Sequence, residues 1–222
     1  IRGHITTMPE SLERRYGVGS RTIFALLTIL SYAVVNLALV LYSGGLALVG
    51  TALPTLEVRD DLGWHHDAFE DLGESFYSVT GRYRVTLVAA TGLDTPATGT
   101  LQSSQSLAGG LVARTYVATG VRDFAWAAGL LEEVTGYAGP TRVVVSYRAG
   151  AVTSTQARNM LTAAQRSLNT FSASFGAYPY PELDVVLGNF PSFGGMEYPT
   201  IVFSEVNRYT VAHEIAHQWW YG

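Results

Sequence analysis

Apolar positions recur along this chain with different periods, and each period predicts a different element. From Thr22 to Leu56 there is no Asp, Glu, Lys or Arg. The core of that run, 22–42, is about as long as the ~20 residues that cross a bilayer as a helix. Arg14, Arg15 and Arg21 precede it, and no further arginine comes until Arg59. That asymmetry predicts a cytoplasmic N-terminus and an extracytoplasmic remainder beyond Gly44-Gly45. The competing reading is a pair of buried strands, because Ser31, Asn36 and Ser43 interrupt the run. A cleavable signal fits less well, since the run exceeds the ~7–15 residues of a signal core.

After Pro54 the texture becomes that of strands. Tyr83 to Val88 and Thr141 to Tyr147 carry β-branched residues, and breaks such as Ser103-Ser104-Gln105-Ser106 and Gly109-Gly110 separate such segments. Thr153-Ser154-Thr155 then opens a helix predicted to end near Gly176, with Met160, Ala164, Leu168 and Phe171 on one apolar face. A strand over Leu183–Leu187, a Gly-rich turn, a strand from Tyr198 to Phe203 and a helix from about Tyr209 follow. The pattern predicts an α+β chain in four parts. These are an arginine-bearing segment 1–21, an apolar segment 22–45, a β-sandwich-like domain 46–147 and a mixed α+β domain 148–222.

Composition narrows the function classes. Charged residues are only 14% of the 222, aromatic residues are 12%, and the net charge is −4. Enough apolar surface exists to bury a core, and no basic block exists to meet a nucleic acid. Cysteine is absent, which removes disulfides, thiolate metal sites and a cysteine nucleophile.

The chemistry is concentrated near the end of the chain. His213-Glu214-Ile215-Ala216-His217 is an H-E-x-x-H motif. Residues four apart share a helix face, so both imidazoles can reach one metal ion from adjacent turns. Glu214 then sits beside the metal, where a carboxylate can take a proton from water. Val211, Ile215 and Trp219 recur at helical spacing and are expected to pack beneath the site; a solvated surface helix fits the following Gln218-Trp219-Trp220-Tyr221 poorly. Sixteen residues before His213 stands Glu197, in Gly194-Gly195-Met196-Glu197-Tyr198-Pro199. The two glycines allow a ligand's backbone to come close, and Glu197 sets a negative charge beside that approach.

Gly-Gly-Met-Glu followed by His-Glu-x-x-His-Gln-Trp-Trp resembles the aminopeptidase N family of gluzincin metallopeptidases. Further segments are similar to that family's β domain: Gly73 to Ser78, Thr98-Gly99, and Val121-Arg122-Asp123-Phe124-Ala125. Phe175 to Pro181 resembles the approach to its catalytic domain, so the resemblance spans about 46–222. It implies a saddle-like antiparallel β domain followed by the first half of a thermolysin-like domain. It implies zinc held by His213 and His217, Glu214 as the catalytic residue, and Glu197 as anchor of a substrate's free α-amine. Gly194, Gly195 and Met196 would line the substrate strand, and the substrates would be peptides with a free N-terminus.

Three departures qualify that picture. Tyr198-Pro199 stands where the family places Asn after the anchoring Glu. The family's third zinc ligand and its oxyanion-stabilising Tyr lie well beyond the second His, whereas five residues follow His217 here. The resemblance therefore implies a truncated site, inactive alone. Two other readings remain: a metalloendopeptidase on the same residues, and a non-catalytic binding module anchored in the membrane through 22–42. Elsewhere the residues read as structural. His65 and His66 point apart on a strand; Asp60, Asp61, Asp67, Glu70, Asp71 and Glu74 read as a solvated acidic loop. Tyr178-Pro179-Tyr180-Pro181 reads as a rigid turn with packed rings, and Trp126 with Phe124 and Leu130 reads as core.

Overall fold

A computed structural model describes residues 48–50, 58–61, 63–64, 79–190 and 194–220, all within one unit, Ala47–Gly222. The apolar segment 22–42, the pair His65 and His66, the residues 73–78, and Asp67, Glu70 and Asp71 lie outside the described residues. Among the described residues no helix is long and apolar enough to cross a membrane. The architecture is α+β.

Short antiparallel pairings come first: β1 (Leu48–Gly50) with β7 (Trp126–Ala128), and β2 (Arg59–Asp60) with β3 (Gly63–Trp64). Three longer strands, β4 (Gly81–Ala90), β5 (Thr100–Leu107) and β6 (Leu111–Val121), form an antiparallel sheet with β6 in the centre. Alternation along β4 turns Tyr83, Val85 and Leu87 onto Ala97, Tyr116 and Phe124. Ser103-Ser104-Gln105-Ser106, expected as a break, is instead the body of β5. Pairing with β6 satisfies the backbone groups along one side of it, and its exposed side chains cost nothing by being polar. Gly109-Gly110 does make the turn, with φ of 77° and 72°. Trp126 packs against Phe124, whereas Leu130, expected in the core, is 69% exposed.

The second sheet carries the candidate site. Its order is β11 (Gly195–Met196), β12 (Ile201–Ser204), β10 (Glu182–Leu187), β9 (Thr141–Arg148), β8 (Leu131–Ala138). β8 and β9 are antiparallel, while β9–β10 and β10–β12 are parallel. A parallel neighbour needs a crossover, and helix α1 (Ser154–Phe175) supplies it between β9 and β10. The sheet thus continues across position 148, and the expected division there falls between two hydrogen-bonded neighbours.

Both faces of this sheet are covered, which explains its near-continuous apolar runs. Val143, Val145, Leu183, Val185 and Val202 meet α1 and helix α2 (Arg208–Ala216). Val186, Ile201 and Phe203 on the other face meet Ala125, Ala127 and Phe190. α1 begins and ends where the pattern predicts: Thr153 and Gln156 form a capping box, Gly176 terminates it, and Ala157, Met160, Ala164 and Leu168 are buried. β12, predicted from Tyr198, starts only at Ile201, because residues 197–200 turn and Thr200 takes a φ of 65°.

One buried charge makes a stability prediction. Asp184, 6% exposed, lines a cavity of about 250 Å³ together with Arg114, Tyr116, Glu133, Arg142 and Glu182. Burial, then the nearby Glu182 and Glu133, raise its pKa well above 3.8, against a smaller lowering by Arg142. A raised folded-state pKa means the native state binds the proton more tightly than the unfolded chain does. The contribution to stability is therefore full below about pH 3.8 and declines as pH rises towards the folded value. Asp184→Asn should remove that decline. At pH 7 the melting temperature should rise by about 2–4 °C per kcal/mol regained, and the gain should vanish below about pH 4. A variant that melts below the parent at pH 7 would show that the carboxylate is stabilising after all.

Candidate active site

α2 is short, and its ends are secured from outside. Asn207 caps its first turn by accepting from the Tyr209 N–H at 2.9 Å. Val211 and Ile215 are fully buried against the sheet and α1, with Trp219 partly buried beside them, as the apolar spacing predicts. That orientation leaves His213 exposed and His217 half-buried on the outer face, and it turns Glu214 inward to 4% exposure.

The helix ends at Ala216, but His217 keeps right-handed helical geometry and donates its N–H to the His213 carbonyl. The two imidazoles therefore still share a face. Their Nε2 atoms stand 3.2 Å apart, with the rings perpendicular. His217 Nδ1 lies 2.8 Å from the Trp220 carbonyl. A carbonyl only accepts, so Nδ1 carries the hydrogen and neutral His217 presents a lone pair at Nε2. Nitrogens bound 2.0–2.1 Å from one tetrahedral zinc stand about 3.3–3.4 Å apart. The pair thus fits two positions of a zinc site, with a carbonyl orienting one ligand from behind. Among the described residues no group of three His, Cys, Asp or Glu converges.

Gly195 has a different neighbour from the one expected. A Cβ at that position would stand 2.5 Å from Glu214 Cδ and closer still to Oε1. The space left by the missing side chain is taken by the Glu214 carboxyl rather than held open for a ligand. Gly194, at φ 71°, makes the bend into β11, donating to the Phe190 carbonyl and accepting from the Glu205 N–H. Met196 is half-buried, packed on the Val186 and Phe203 face. Glu197 follows β11 directly and is buried, at 4% exposure.

The contact between these two halves involves a residue that the pattern did not single out. Gln218, next to His217, reaches the turn next to Glu197. Its Oε1 accepts from the Thr200 N–H at 3.1 Å and from the Tyr178 hydroxyl at 3.3 Å, and its Nε2 donates to the Tyr198 carbonyl at 3.1 Å. Burial raises the Tyr178 pKa well above 10.0, keeping that hydroxyl a donor. The only legible signal was one amide amid bulky aromatic residues. The aromatic residues themselves close the motif onto the end of α1: Trp219 Nε1 donates to the Gly176 carbonyl at 2.9 Å, and Trp220 stacks edge-on against Phe175. Tyr178 and Tyr180 pack their rings 5.4 Å apart, as the turn reading expects. A cavity of about 140 Å³ abuts His217 and Gln218 and is lined also by Arg122, Tyr180 and Pro199. No protein-family model and no curated protein matches this chain.

Proposed function

We propose that this chain contributes the core of a zinc-dependent aminopeptidase site that releases N-terminal residues from peptides. The observation that carries the reading is the convergence of the His213 and His217 Nε2 atoms beside a buried Glu214. His213 and His217 would hold the metal, and the reading requires a further ligand besides these two. When bound, zinc supplies Lewis acidity towards the scissile carbonyl. Glu214 takes the proton of the attacking water and returns it to the leaving amine. Its carboxyl is buried and lies against Gly195.

Glu197 supplies the exopeptidase character. A fixed carboxylate near the reacting bond distinguishes a free α-ammonium from a peptide link, and a charge-assisted bond of this kind is worth ~1.5–3 kcal/mol. Full-length protein should cleave free-amine peptides and reject matched N-acetylated ones. Glu197→Ala should lower kcat/KM on the free-amine series at least about tenfold, with the acetylated series unchanged. Equal cleavage of both series by the parent would remove the aminopeptidase assignment in favour of an endopeptidase.

A further inference from the structure

We propose that Gln218 is the positioning residue that sets Glu197 against the histidine pair, and so governs preference for a free N-terminus. This rests on the aminopeptidase reading. The two halves of the site come from different elements: His213 and His217 from α2 and its cap, Glu197 from the end of β11. Covalent continuity between them runs through β12 and all of α2, too far to hold a carboxylate to within a fraction of an ångström of its work. Gln218 joins them directly. Its backbone adjoins His217, and its amide is bonded on both sides of the turn that begins at Glu197.

The partners determine the side-chain chemistry required. The Thr200 N–H must meet an acceptor and the Tyr198 carbonyl must meet a donor. A primary amide of this length offers both at once; a carboxylate lacks the donor and an aliphatic chain lacks both. The Tyr178 hydroxyl, held over α1's C-terminal end by its contacts with Trp219 and Tyr180, gives Oε1 a second donor and fixes which way the amide faces. Thr200 is itself constrained, with φ of 65° and its Oγ1 accepting from the Gly99 N–H at 2.6 Å. The turn is therefore stiff on the sheet side and tied on the helix side, so a loss at Gln218 is transmitted to Glu197 instead of being absorbed.

The test uses full-length protein with Gln218→Leu, which keeps bulk, and Gln218→Glu, which keeps the acceptor alone. Five quantities are read: zinc content, melting temperature, exchange of the Thr200 amide, and KM and kcat on matched free-amine and N-acetylated peptides. Both variants should keep stoichiometric zinc. In Gln218→Leu the Thr200 amide should lose protection. Its KM on free-amine peptides should rise at least about tenfold, the loss expected when a charge-assisted contact is put out of reach. Cleavage of acetylated peptides should not change. Gln218→Glu should lose selectivity while retaining Thr200 protection. If kcat on free-amine peptides falls in step with zinc content or melting temperature while KM is unchanged, Gln218 is merely structural and the proposal is overturned. A parent that shows no free-amine preference overturns the reading beneath it, and that result is visible without either variant.

Discussion

Glu214→Gln is expected to lower peptide hydrolysis by the full-length protein by about two to four orders of magnitude, the usual contribution of a positioned general base. Zinc content should stay at the parental level. The amide has nearly the volume of the carboxyl it replaces, so the packing of a 4%-exposed side chain against Gly195 survives. Only the capacity to accept the proton is lost. His213→Ala or His217→Ala should instead lose zinc and hydrolysis together, because each removes a nitrogen from a pair converging at 3.2 Å. Zinc analysis and initial rates on one peptide separate the two outcomes. A Glu214→Gln protein cleaving at the parental rate would end the general-base assignment.

Gly195→Ala should have the next largest effect, although it adds one methyl group and removes nothing. Its backbone tolerates a side chain, since the residue sits in a paired strand opposite Ser204 and needs no positive φ. The added carbon would overlap the Glu214 carboxyl, 2.5 Å from Cδ. Overpacking of this kind costs ~1–3 kcal/mol, and the carboxyl is the part free to move. A displacement of about 1 Å in a catalytic group can cost about 10²-fold in rate. Hydrolysis should fall accordingly with zinc retained. Gly194→Ala provides the contrast. Its φ of 71° strains any side chain, but the nearest atom it would meet is Thr210 Cγ2 at 4.0 Å. It should lower stability while leaving the rate closer to the parent. If Gly195→Ala folds and turns over like the parent, Glu214 does not require its present location.

Prediction from the amino-acid pattern succeeded where the deciding interactions are local. α1 follows from a cap, a four-residue apolar repeat and a terminal glycine, all within its own span. It failed where a distant strand decides. Ser103 to Ser106 carry the polarity of a loop, yet β6 holds them in an extended conformation through backbone bonds that any side chain permits. Leu130 has the hydrophobicity of a core residue and yet is exposed, in the bend just before β8. The α+β character was legible for the same reason that α1 was, through period and length.

At the site, the chain alone determined the histidine pair, because a four-residue spacing on a helix is a statement about one element and its pitch. It also determined the burial of Val211 and Ile215, by the same periodicity. Tertiary structure decided the rest. That Gly195 makes room for Glu214, and that Gln218 joins the end of α2 to the Glu197 turn, are contacts between segments about twenty residues apart in sequence on different elements. Such contacts depend on how β11 and β12 lie against α2, and no periodicity within either segment encodes that placement. A missing side chain and one amide become informative only when the surface opposite them is known.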